Sequence, residues 1–190
     1  MKHSTAELLQ IIHRFYPNNM WPDEPGYSET EEDHRLMEAS RQAGSGADYE
    51  GWRAMLDRLR PRFSRHLHNT SLHLMAGSRG SCYEGCYDLL DTDEAKRRIY
   101  FAVSFLAPCY LVYSWRWTRA GHRFEARFEL DETERPYALK IAEEIEATYG
   151  YEPMPPDVGN VLVAEVEILG ARYHYFGKGT IYDYLFTINW

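Results

Sequence analysis

His66, His68 and His73 fall within eight residues of one another, and a spacing of two on a strand would place His66 and His68 on one face. Two imidazoles so placed supply half of a zinc site. The spacing sets no third ligand, since the nearest thiol is Cys82, so exposed or hydrogen-bonded histidines are the competing reading. Cys82 and Cys86 in SCYEGC are four apart, unlike the Cys-x-x-Cys of redox and zinc motifs. A catalytic cysteine needs a partnered histidine; without one, a free cysteine behaves as a small buried hydrophobe. Pro156-Asp157 followed by Glu165-Val166-Glu167 echoes the acidic core of restriction-type nucleases. Glu167 stands where that pattern has a lysine, which deprives a metal-assisted mechanism of a key part. Gly177-Lys178-Gly179-Thr180 has the Gly-Lys and Thr of a phosphate loop, but Tyr173 replaces its leading glycine. A tight turn between strands suits it better. There is no Gly-x-Ser-x-Gly elbow and no His-Glu-x-x-His. No catalytic residue, metal or cofactor is expected.

Helical spacing dominates the first third. Leu8, Ile11, Ile12 and Phe15 recur at helical intervals, with Ser4 or Thr5 as cap and Pro17 as stop. Thr30 and Asp33 resemble a capping box opening a second helix, which Gly44 and Gly46 end. Trp52, Met55, Leu56, Leu59 and Phe63 mark a third, interrupted near Pro61. From about Leu67 the period becomes two: Ile99, Phe101, Val103 and Phe105 alternate with Tyr100, Ala102 and Ser104. Leu111, Tyr113, Trp115 and Trp117 form one face of the next strand, and Phe124, Ala126, Phe128 and Leu130 alternate with charged residues. Arg119–His122 reads as the hairpin turn between them. A helix follows from about Glu132 to Tyr149, with Ala138, Ile141 and Ile145 as its apolar stripe. Strands are expected near Val161–Ile168, Arg172–Phe176 and Thr180–Thr187. The order predicts an α+β domain: N-terminal helices packed on a mainly antiparallel β-sheet, with one further helix before the C-terminal strands. One domain, 1–190, is expected, mostly helical over 1–65 and mostly strand over 66–190.

The chain of 190 residues carries a net charge of −8, which opposes nucleic acid as a partner, because phosphate demands a basic footprint. Residues 95–128 hold seven Lys/Arg against one acid, whereas 129–167 hold eleven Asp/Glu against two basics. Such an acidic stretch can steer a basic partner; the competing reading is a solvated helix face with ordinary loops. Three cysteines fit a reducing cytoplasm, not a disulfide framework. The start MKHSTAELLQIIHRFYP holds no continuous apolar run, and no stretch approaches a transmembrane helix, so a cytoplasmic location is expected. With fifteen Tyr and five Trp, the chain is rich in the residues that interfaces favour, although tyrosines on a half-solvated sheet would give the same count.

YGYEPMPP, DVGNV and the closing TIYDYLFTINW, with TEEDHRL, SCYEG and VSFLAPCYLVYSWR upstream, resemble immunity family fifty-two of the bacterial polymorphic toxins. The similarity runs in order over roughly the whole chain. It implies a cytoplasmic, non-catalytic antidote to a secreted nuclease-fold toxin, in many cases one delivered by a type VI secretion system for bacterial competition. Under that reading the partner is a basic nuclease bound by occlusion. Glu143, Glu144, Glu146, Glu152, Asp157, Glu165 and Glu167 supply an acidic rim around Tyr151, and the Trp115/Trp117 sheet face is the alternative surface. An enzyme of unrecognised type, centred on His66, His68, Cys82 or Glu165/Glu167, and an adaptor within a secretion assembly stay open beside it.

Overall fold

The computed structural model describes residues 4–63, 66–71, 79–120, 123–167 and 178–186. Ser4 opens α1 (Thr5–Phe15) with a reciprocal capping box to Glu7, and buries Leu8 and Ile12. Thr30 accepts the Asp33 N–H at the start of α2 (Glu31–Ser45). Helix α3 (Ala47–Phe63) runs through Pro61 instead of breaking there. Phe63 is buried edge-on against Tyr87, so packing of the last turn outweighs the hydrogen bond that proline forfeits.

The sheet then forms in chain order: β1 (Leu67–Asn69), β2 (Cys82–Asp91), β3 (Ala95–Ser104), β4 (Cys109–Thr118) and β5 (Arg123–Arg127), all antiparallel. Helix α4 (Arg135–Tyr149) follows and ends at Gly150, whose φ of 66° turns the chain back. The short β6 (Glu152–Pro153) then pairs parallel with the start of β4. The sheet divides the core in two. Ile99, Phe101, Val103, Tyr83 and Tyr110 meet α3 and α4 on one face. Cys82, Ala102, Cys109 and Leu111 meet α1, Val163, Val166 and Tyr184 on the other. This is the α+β arrangement that the alternation predicts, with helices covering both faces.

Beyond β6 lie the one-turn α5 (Pro156–Gly159), β7 (Leu162–Glu167), β8 (Lys178–Thr180) and α6 (Ile181–Leu185). The expected strand over Thr180–Thr187 is thus a helix through Leu185. Thr180 and Asp183 close a capping box, and Ile181, Tyr184 and Leu185 are buried at helical spacing. Hydrogen bonds Tyr16 Oη to Tyr184 O (2.8 Å) and Tyr184 Oη to Val166 O (2.6 Å) tie α6 to α1 and β7. Strand β5 also departs from expectation, because Ala126 and Phe128 are exposed along with the charged residues between them. The expected strand Arg172–Phe176 and the positions Gly121, His122 and Gly177 of the expected turns lie outside the described residues, as do His73 and Trp190, whereas Lys178–Thr180, expected to belong to the second of those turns, pairs with β7 as β8. No described helix is long and apolar enough to cross a membrane.

Candidate functional site: an acid-rimmed groove beside α4

On its outer side, β4 pairs with β6 as far as Tyr110 and with β5 only from Ser114. Leu111–Tyr113 therefore carries no strand on that side among the described residues. The gap is the floor of a groove of about 630 Å³. Ala138, Leu139 and Ala142 of α4 form one wall, and Pro153, Met154 and Pro156 form another. Phe128 and Leu130 close the third side as the chain leaves β5. Leu139 is 57% exposed and Phe128 41%, so the groove presents apolar surface to solvent. Phe128 is held in place by stacking on Tyr182 (ring centroids 5.0 Å apart). Tyr182 lies so close over Gly159 that any side chain there would strike its ring.

α4 is fixed by a buried polar joint. Asp131 and Glu134 bond each other's backbone N–H (3.0 Å each), a reciprocal cap of the kind that starts helices. The fully buried Glu134 also accepts from the Ser114 hydroxyl (2.6 Å) and the Arg116 guanidinium (2.8 Å) on β4. Burial alone would push the Glu134 carboxyl up. These donors win and hold it below its ordinary value.

The carboxylates expected to contact a partner do not gather in one place. Glu146 accepts from Tyr110 on the groove floor (2.6 Å). Glu143 lies one turn beyond Leu139, while Glu152 and Asp157 directly adjoin the lining residues Pro153 and Pro156. Glu144 turns the other way: it is only 15% exposed and is bound by Arg58 (2.9 Å) and Lys140 (3.0 Å). Glu165 is exposed on β7, beside Asn19. Glu167, next on that strand, is half-buried, with one carboxylate oxygen lacking a described partner. Half-buried Trp115 carries the Arg98 guanidinium over its ring at 5.8 Å, and Trp117 is registered opposite Lys96. Tyr151 is half-buried against Tyr149 (5.4 Å). Sequence reasoning missed Glu129, Phe128 and Leu139 as site residues. Leu139 did carry a signal, standing off the Ala138/Ile141/Ile145 stripe.

Among the described residues no group of three His, Cys, Asp or Glu is placed to hold a metal. His66 is exposed, and His68 Nε2 lies 2.9 Å from Asp88. Burial raises the Cys86 and Cys109 thiols to about 12 and Cys82 well above its ordinary value. They are therefore protonated at neutral pH and poor nucleophiles. Comparison with family models, with curated proteins and with solved structures gives no match.

Proposed function

We propose that the protein is a non-catalytic immunity protein, which binds a cognate antibacterial toxin, a basic nuclease, and neutralises it by occlusion. The observation that carries this reading is the groove: exposed apolar side chains around an open sheet edge, with Glu129 in its lining, Glu146 bonded to Tyr110 of its floor, and Glu143, Glu152 and Asp157 near lining residues along the chain. Arg135 is the cation in the lining, and it points a bond at the Leu130 carbonyl (3.4 Å). A desolvated apolar centre inside a polar rim is the layout of interface hot spots. A rim of one sign selects a partner of the opposite sign and speeds the encounter. Nuclease surfaces are basic where they hold the phosphate backbone, so the same patch that binds DNA would meet this rim.

The test pairs the purified protein with the product of the gene beside its own. Cells making that product should survive only when this chain is co-produced, and calorimetry should report a tight complex. Leu139→Asp, at an exposed helix position, should keep the fold and weaken the complex more than tenfold, as expected for an apolar hot spot. Unchanged affinity in Leu139→Asp, or absence of protection by the wild-type chain, would overturn the reading.

A further inference from the structure

At the far end of α4 the aromatic side chains form a second feature. Tyr83 is buried, donates its hydroxyl to the Ala43 carbonyl (3.1 Å), and stacks on Trp52 (5.5 Å, 16° between planes). Two half-buried tyrosines stand over it, and a third packs on one of them. Tyr49, in the first turn of α3, lies 6.2 Å from its ring, and Tyr149, the last residue of α4, lies 6.4 Å away at 23°. The left-handed turn at Gly150 then brings Tyr151 back onto Tyr149. Asp48 is exposed beside them, and its backbone carbonyl receives the Tyr149 hydroxyl (3.3 Å). No described cation lies within ion-pair distance of the Asp48 carboxylate, and the nearby Arg58 is already held by Glu144 and Thr148. Burial first, and the Asp48 charge after it, raise the hydroxyls of Tyr83, Tyr149 and Tyr151, so these phenols stay neutral.

We infer that the Tyr49, Tyr149 and Tyr151 rings, with the Asp48 carboxylate, form a receptor for one arginine side chain of a basic protein partner. Aromatic faces attract cations. A planar guanidinium can stack on such a ring while donating two parallel hydrogen bonds to a carboxylate, a geometry that an ammonium lacks. Tyr151 is two residues from Pro153 of the groove wall, so one partner can reach both features. The identity of that partner as a toxin rests on the reading above; the arginine site does not.

A capped Gly-Arg-Gly peptide is the probe, titrated into protein labelled on its tyrosine rings and followed by NMR. The ring signals of Tyr49, Tyr149 and Tyr151 should shift saturably, while the neutral citrulline peptide leaves them in place. Asp48→Asn should weaken binding about fivefold, the scale of an exposed ion pair. Tyr151→Phe should bind as wild type and Tyr151→Leu should not, because the ring face and not the hydroxyl makes the contact. Equal shifts with citrulline, no shifts with arginine, or full affinity in a folded Asp48→Asn protein would each overturn the proposal. No toxin enters this titration, so its failure leaves the groove reading standing, and a failed toxin complex leaves this site standing.

Discussion

Glu84 is 2% exposed in the middle of β2, opposite Ala102, between strand neighbours directed to the α1 side of the sheet. Its backbone is well served, exchanging bonds with the Ser71 hydroxyl at 2.6 and 2.9 Å. One oxygen of its carboxyl finds no described partner. Burial raises this group to about 7, against the smaller opposing effect of the Thr70 hydroxyl. The folded protein therefore binds the proton more tightly than the unfolded chain does. Stability from this group is complete below the ordinary carboxyl value and is lost as pH rises through about 7. A shift of that size corresponds to about 3 kcal/mol. Glu84→Gln removes the titration at nearly constant shape, so its melting temperature should exceed wild type at pH 8 and converge with it near pH 5. Parallel wild-type and variant melting curves at both pH values would show that water or a nearby donor already satisfies the carboxylate.

At the scale of elements, α4 is both groove wall and core helix, and its placement depends on Glu134. Glu134→Ala takes the acceptor from Ser114, leaves Arg116 with Asp131 alone (2.7 Å) and removes half of the cap on Asp131, so a loss of about 2 kcal/mol is expected in chemical denaturation. Glu134→Gln keeps one acceptor oxygen, for either the Asp131 N–H or the Ser114 and Arg116 donors, and should lose less than Glu134→Ala. Equal losses in the two variants would mean that packing of Ala138, Ile141 and Ile145 alone seats the helix. The apolar stripe that seats α4 is plain in the sequence, as are the Ser4 and Thr30 caps and the alternation of β3 and β4. Those signals are local and periodic. Strand β2 carried no such mark: both of its faces are covered, so YEGCYDLL shows no alternation. The helix α6 was misread because Ile181, Tyr182, Tyr184 and Phe186 favour strands, although the Thr180/Asp183 pair and the spacing of Ile181, Tyr184 and Leu185 encoded a capped turn. Of the site, the acidic excess was legible. The groove was not, because it arises where β5 stops short of β6 along β4, a mismatch in strand ends that no single segment contains.

Across the whole molecule the carboxylates fall into two kinds, and only one can steer a partner. Glu134, Asp33 and Glu144 are bound by Arg116, Arg79 and by Arg58 with Lys140, so their fields are largely cancelled by short-range partners. Glu129 and Asp157 are exposed beside the groove, and no described cation pairs with either; exposed Glu143 meets only Lys140 at 3.4 Å, a contact weakened by solvent. Charge steering depends on where such free charges lie relative to the docking face, not on the net value of −8 alone. Two triple reversals separate location from total. Changing Glu129, Glu143 and Asp157 to Lys, or changing the exposed Asp23, Glu29 and Glu165 to Lys, alters net charge by the same amount. Stopped-flow association with the basic partner should slow about tenfold for the first set, with a flatter dependence on ionic strength, and by much less for the second. Dissociation rates should change little in the second set, since none of its residues touches the groove. Equal slowing by both sets would reduce steering to net charge, and an effect confined to the second would move the docking face to the β7 side of the sheet.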